Sequence, residues 1–215
     1  MEDKMKNKIT VGLVGKLHGL HRKLLNDLPA LGFTPFEMDS GDLAHPPGTA
    51  AVIFTCPDLH PDQNQRGKKE LHELSVLIES LRDDQVQLIF VSIASTNQPE
   101  ALVASFGHLD LKAESLIRES GIPYTIVRAM SAEDRPGHHH KLFWKQGMEG
   151  KQKGSEHPVP WEDLAEVLVQ CVNRPKALSR TFTVHAVTGN PNDNWDQWFQ
   201  GLNPDTQEKS GRKSA

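Results

Sequence analysis

Cysteines and long apolar runs are scarce in this chain of 215 residues. Cys56 and Cys171 are the two cysteines, and both lie in apolar stretches, which favours buried free thiols over a disulfide or a metal site. No apolar run approaches the roughly 20 residues that span a bilayer, and residues 1–8 are charged rather than apolar. We therefore expect a cytoplasmic protein that does not insert into a membrane.

An excess of positive charge is absent as well. The formal net charge is -4, so the chain has no general positive field for the backbone of a nucleic acid. We expect no nucleic-acid partner. A small-molecule ligand or a protein partner is favoured, and the sequence leaves a homodimer open.

What the sequence does contain is an alternation of strand and helix patterns. Leucines at spacings of three and four residues predict a helix that begins after Gly15. Further helices are predicted over Lys68–Leu81, Leu109–Glu119, Trp161–Val172 and a short last segment with Trp195, Trp198 and Phe199. The predicted strands are Ile9–Val11, Phe33–Met38, Ala51–Cys56, Gln87–Ile93, Tyr124–Val127 and Arg180–Val187.

This order of elements determines the expected fold class. Strands that alternate with helices require a mostly parallel sheet with helices on both faces. We therefore expect an α/β, Rossmann-like, doubly wound fold, and the chain length suits one domain over residues 1–200. Ligands of such sheets bind beyond the carboxyl ends of the strands, where the strand order reverses.

Three polar segments interrupt the pattern. Ser40–Gly48 is rich in proline and glycine and too short for a helix. Arg135–Pro158 is too long for a simple connection and is expected to be a lid or a mobile loop. Its three successive histidines, 138–140, lack cysteine or carboxylate partners at ligand spacing, so no metal site is expected. Gly201–Ala215 is expected to be a disordered tail.

The segment His108–Met130 resembles the most diagnostic stretch of the atypical short-chain dehydrogenase/reductases, which include the NmrA-like proteins. Members of that family carry a lysine, a nearby glutamate and a Ser-Gly-aliphatic-Pro-Tyr-Thr-Ile-aliphatic-Arg run. Here these are Lys112, Glu114 and Ser120–Arg128. The resemblance implies an NAD(P)-binding Rossmann fold.

Two further stretches extend the similarity. His157–Val172, with Asp163 and Ala165 close to register, is similar to the family's late helix entry. Leu88–Thr96 resembles the family's serine-bearing central strand. Together the similar stretches cover roughly residues 8–187, more closely in the second half than in the first.

The glycine turn departs from the family pattern. In the family, three glycines at three-residue spacing allow a tight turn and the close approach of a pyrophosphate. Aligned on the first strand, this chain has Gly12, Gly15 and His18 at those places, with Gly19 one residue out of register. The resemblance implies NAD or NADP as the cofactor, while the altered turn leaves open that none binds.

The adenosine side of the implied pocket departs further. The family places a helix and a strand before the strand that matches Ala51–Cys56, and Ser40–Gly48 replaces them, so one strand-helix unit is expected to be missing. Asp39 stands where an acidic side chain would accept ribose hydroxyls, without a nearby Arg or Lys for a 2′-phosphate, which favours NAD. Thr55, near the end of the predicted strand Ala51–Cys56, is expected at the same crevice.

The family's acid/base pair is altered too. Reductases of the wider superfamily use a Tyr-x-x-x-Lys pair, in which the lysine lowers the pKa of the tyrosine. At the matching spacing this chain has His108 and Lys112, and its one tyrosine, Tyr124, falls on the following strand. The imidazole of His108 can serve as the acid/base, and Ser92 or Ser95 can orient a carbonyl.

These observations leave three functions open. The first is an NAD(P)-dependent oxidoreductase or epimerase-like enzyme that acts on a small carbonyl or hydroxyl substrate. The second is a non-catalytic NmrA-like nucleotide sensor or scaffold, and the third is a pseudoenzyme without dinucleotide binding. The missing tyrosine and the altered turn favour the last two, whereas the Lys112 region favours the enzyme.

Overall fold

A computed structural model describes residues 9–15, 18–39, 43–55, 64–94, 111–130, 132–146, 157–192 and 194–206. Five helices lie in these ranges: α1 (His18–Ala30), α2 (Asn64–Arg82), α3 (residues 111–119), α4 (Trp161–Cys171) and α5 (Trp195–Gln200). The strands are β1 (Thr10–Gly15), β2 (Thr34–Glu37), β3 (Thr49–Thr55), β4 (Gln87–Ala94), β5 (Tyr124–Met130), β6 (Ala132–Glu133), β7 (Lys141–Lys145), β8 (Val159–Pro160) and β9 (Arg180–Val187). None of these helices has an apolar stretch long enough to cross a membrane.

Seven strands form one sheet in the order β2-β1-β3-β4-β5-β9-β7. All neighbours in this sheet are parallel except β7 and β9, which are antiparallel. From β1 the chain first moves outward to β2, and from β3 it moves the other way to β4 and β5. The strand order therefore reverses between β1 and β3, which is where ligands of such sheets bind.

Helices cover both faces of the sheet, as predicted. One apolar cluster joins α1 and α4 to the sheet, and a second joins α2 and α3 to its other face. Along β3, Ala51 and Ile53 belong to the first cluster, whereas Val52 and Phe54 belong to the second. This alternation follows from the two-residue repeat of a strand, and it confirms the doubly wound α/β fold.

The predicted glycine turn is wrong in its position. Instead of ending near Val11, β1 continues through Gly15 and pairs with β3 along its length. Gly12 lies inside this strand, where an added Cβ would be 2.6 Å from the sulfur of Met38. Gly12 therefore makes room for packing inside the sheet and is not part of the turn.

The prediction of a loop over Arg135–Pro158 is wrong for the part that forms β7. Leu142 is buried in the same cluster as α4, and the backbone of β7 pairs with β9. The backbone of Leu142 is hydrogen-bonded on the outer edge of β7 as well. The side chain of Asn192 accepts from the amide of Leu142, and the indole of Trp198 donates to the carbonyl of Leu142. Residues 147–156 lie outside the described residues.

The prediction of a disordered tail is wrong for residues 201–206. Leu202 is buried, and the amide of Asn203 donates to Gln146. The Asp205 carboxylate accepts from the amide and the hydroxyl of Thr181 at 2.9 and 2.6 Å. These contacts fasten the segment to the sheet, and residues 207–215 lie outside the described residues.

Two smaller predictions concern the first half and the thiols. Residues 43–48 contain neither helix nor strand, as predicted for Ser40–Gly48, while residues 40–42 are not described. Cys171 is buried with a free thiol, as predicted. Cys56 lies outside the described residues.

Candidate functional site

The carboxyl ends of β1 and β3 meet at Gly15 and Thr55. Gly15 has a φ of +114°, and a Cβ added to it would be 2.1 Å from the carbonyl oxygen and 2.4 Å from the hydroxyl of Thr55. Thr55 is buried, and its hydroxyl donates to the carbonyl of Val14. Only glycine fits at position 15, for both its φ and its space. The contact lies at the point where the strand order reverses.

This geometry shifts the register of the glycine motif. The turn begins at Gly15 rather than at Gly12, so the next places at three-residue spacing fall on His18 and His21. His18 begins α1. α1 begins three residues after Gly15, and the free N–H groups of a helix N-terminus attract anions.

The acidic residue at the end of β2 is Glu37, which sequence analysis missed. One carboxylate oxygen of Glu37 lies 2.9 Å from Nε2 of His21 on α1. Asp39, the predicted ribose ligand, is exposed two residues beyond the strand. Glu37 was missed because the sequence alone placed the end of this strand at Met38.

Gly19 and Trp161 bring the starts of α1 and α4 together. A Cβ on Gly19 would be 1.5 Å from the indole ring of Trp161, so this close packing requires glycine. The ammonium of Lys23 donates to the Glu162 carboxylate at 3.1 Å and joins the same two helices. Gly19 therefore allows α1 and α4 to pack closely against each other.

The segment after β5 is bound to the first turn of α4. The amide of Gly137 donates to Glu162 at 2.8 Å, and the amide of His138 donates to Asp163 at 2.7 Å. The second oxygen of Asp163 is buried without a hydrogen-bond partner in the described part of the chain, and burial raises the pKa of this carboxyl above its usual value. The ring of His140 stacks on that of His157 at 4.0 Å. Among the described residues no three side chains are arranged to hold a metal ion.

The predicted catalytic residues are not brought together in the described part of the chain. Ser92 is buried in β4 on the face of the sheet that α2 and α3 cover. Lys112 is exposed on α3, and His108 lies outside the described residues. Because Glu114 points inward from the same helix, Lys112, two residues earlier, lies on a different side of it.

Glu114 is the centre of a buried ionic cluster. It is 1% exposed and accepts from Nε and Nη2 of Arg128 and from Nη2 of Arg118, each at 2.6 Å. The hydroxyl of Tyr124 donates to Asp205 at 3.0 Å, beside this cluster. A cavity of about 350 Å³ lies there, lined by Arg118, Arg128, Gln146, Thr181, Asn203, Pro204, Asp205 and Thr206. The polar groups that line this cavity are hydrogen-bonded to one another. These bonds and the ionic cluster hold α3 and residues 203–206 against the sheet.

Solved structures with the same fold include nicotinamide-dependent proteins. A candidate NAD-dependent epimerase/dehydratase from Bacillus halodurans is 18% identical, with a TM-score of 0.64 over 85% of this chain and 96% of that one. A Rossmann-fold NAD(P)-binding family protein from Shigella flexneri is 15% identical, with a TM-score of 0.56 and coverages of 86% and 98%. The UDP-N-acetylglucosamine 4-epimerase from Bacillus cereus is 12% identical, with a TM-score of 0.55 over 84% of this chain and 80% of that one. At these identities the likeness establishes the fold.

A family model described as NAD(P)H-binding matches residues 43–175, which is more than half of the chain. The match includes β3, α2, β4, β5 and α4, and it begins after the glycine turn. No protein of curated function matches the sequence significantly. The match supports a nicotinamide dinucleotide as the cofactor, without distinguishing NAD from NADP. The chain belongs to the NAD(P)H-binding family, within the NAD(P)-binding Rossmann superfamily that its sequence resembles.

Proposed function

We propose that this protein is an NAD(P)-dependent oxidoreductase or epimerase-like enzyme that acts on a small carbonyl or hydroxyl substrate. The observation that carries the proposal is the contact between Gly15 and Thr55 at the strand reversal. A side chain at position 15 would collide with Thr55 and force apart the two strand ends beside which a pyrophosphate would approach the backbone.

The residues around this contact fit a dinucleotide. The backbone of Gly15 and the first N–H groups of α1 would hold the pyrophosphate, and Thr55 would close the other side of the crevice. When bound, a nicotinamide supplies hydride exchange with the substrate. The role of the chain is to hold the substrate's oxygen beside it and to exchange a proton with that oxygen. Ser92 remains a proposed group for orienting a carbonyl.

We further propose that the cofactor is NAD rather than NADP. Glu37 ends β2 and faces α1, so its carboxylate can accept from ribose hydroxyls and would repel a 2′-phosphate. Replacing Glu37 with Gln removes the repulsion of the 2′-phosphate. We therefore expect the ratio of the dissociation constants of NADP and NAD to fall about tenfold or more, which is the value of one charged hydrogen bond. An unchanged ratio of the two dissociation constants would transfer this role to Asp39.

A nucleotide-binding protein without turnover is the second candidate. Two observations favour it: the hydroxyl of Tyr124 is bound to Asp205, and Lys112 is exposed. Neither residue is placed as in the Tyr-x-x-x-Lys pair. This candidate keeps the cofactor site and lacks the proton exchange.

Two measurements separate these candidates. The first is the melting temperature of the protein with millimolar NAD, NADH, NADP or NADPH, since a ligand that binds only the folded state raises it. The second is nucleotide reduction with a panel of secondary alcohols. A shift with turnover supports the enzyme, a shift without turnover supports the nucleotide-binding protein, and no shift with any nucleotide contradicts both.

A further inference from the structure

His185 is a buried histidine in the middle of a sheet strand. It lies in β9 opposite Phe143 of β7, and the two rings stack at 5.0 Å with an angle of 18° between their planes. The residue is 1% exposed, yet neither Nδ1 nor Nε2 has a hydrogen-bond partner among the described residues. Buried polar groups without partners are rare in folded proteins because they lose their hydrogen bonds to water without replacement.

Another buried histidine of this chain provides the contrast. The side chain of His45 is also largely buried, but its Nε2 lies 3.1 Å from the carbonyl oxygen of Ser80 and within 3.8 Å of Asp84. Its position is explained by these contacts. No such contact explains an imidazole at position 185, where leucine would fill a similar volume without orphaned atoms.

The sheet places His185 on the side of the proposed substrate. Ser92 pairs with Arg128, and Arg128 pairs with Thr183, so these three side chains form a row on the face that α3 covers. His185 lies on the same face, one step further toward the carboxyl end of β9. This end of the sheet is where the ligands of Rossmann-like folds bind.

Burial and a nearby lysine keep the ring of His185 neutral. Lys145 of β7 pairs with Thr183, and Arg128 of β5, bound to Glu114 of α3, lies in the same row. Burial first, and the Lys145 charge second, lower the pKa of His185 below its usual value. At neutral pH one ring nitrogen is therefore unprotonated and can accept a proton.

We propose that His185 binds the substrate's oxygen from the β9 side of the crevice and serves as the base that takes its proton. This inference rests on the proposed function. In alcohol oxidation the hydroxyl proton moves to the free nitrogen of His185, the hydride moves to a bound oxidised nicotinamide, and the C–O bond becomes a carbonyl.

The test compares His185→Leu with His185→Gln. Leucine removes both orphaned nitrogens, so we expect an unchanged or higher melting temperature without ligand, an unchanged nucleotide shift, and a fall of about 100-fold or more in kcat for secondary alcohols. Glutamine keeps one hydrogen-bonding group, so we expect KM near that of the wild type with a reduced kcat. In the wild type, kcat should decrease as the pH falls below the pKa of His185, because the ring is then protonated and cannot take a proton.

A matched control is His45→Gln, which disturbs a buried histidine far from the crevice. It should lower the melting temperature and keep turnover. If His185→Leu keeps kcat within threefold of the wild type, or melts lower with unchanged kcat, the ring is only a core residue and the inference is overturned. If the wild type itself shows neither nucleotide shift nor turnover, the proposed function fails, and this inference with it.

Discussion

The buried Glu114 carboxylate gives the sharpest prediction about stability. Glutamine at this position has nearly the same shape but no charge, so three charge-assisted hydrogen bonds from Arg118 and Arg128 are weakened together. Breaking a buried ion pair by removing one partner costs about 3–5 kcal/mol. The two guanidinium side chains are 30% and 19% exposed and can regain water, so the lower figure applies.

This loss is large enough to measure in a thermal melt. For a domain of this size, 1 kcal/mol corresponds to about 2–4 °C in melting temperature. We therefore expect Glu114→Gln to lower Tm by about 6–12 °C. The control is Glu119→Gln on the same helix, where the exposed carboxylate accepts from the hydroxyl of Ser115, and a change within about 0.5 kcal/mol is expected. Equal melting temperatures for the two variants would show that the charge of Glu114 does not stabilise the folded protein.

Two further predictions concern single contacts. Among the described residues Asp163 is buried with one unpartnered oxygen, and its pKa is raised, so the folded protein binds the Asp163 proton more tightly than the unfolded chain does. The stability of the wild type should therefore fall relative to that of Asp163→Asn as the pH rises above 3.8. Parallel curves of stability against pH for the two proteins would contradict this. Tyr124→Phe removes one hydrogen bond to Asp205, while Asp205 keeps both of its hydrogen bonds from Thr181. The free energy of unfolding should therefore fall by about 1 kcal/mol, and turnover should not change. A loss of turnover would instead make Tyr124 a catalytic residue.

The order of strands and helices was predictable because it depends on local patterns. Leucine spacing identifies the buried face of α1, and the alternation in Arg180–Val187 identifies β9 with its observed bounds. The same reasoning misplaced the glycine turn. A motif that starts at Gly12 contains two glycines and one that starts at Gly15 contains a single glycine, so the sequence favours Gly12. The pairing of Gly15 with Thr55 overturns this choice.

The parts that were missed depend on contacts between residues distant in sequence. β7 begins and ends with lysine and forms because it pairs with β9, about 40 residues later. Residues 201–206 are polar, and they are ordered through Asp205 and Thr181. For His185, the alternation predicts a strand, but no local pattern indicates that both ring nitrogens lack partners.

Titration of Gly15→Ala with NADH and NADPH by calorimetry tests whether a dinucleotide binds where β1 meets β3. The matched control is Gly32→Ala, which has a similar positive φ of 87° but no atom within 4 Å of the added Cβ. We predict that the wild type and Gly32→Ala bind nucleotide with similar affinity, while folded Gly15→Ala binds at least tenfold more weakly. Equal affinities for the two variants would contradict this location of the cofactor.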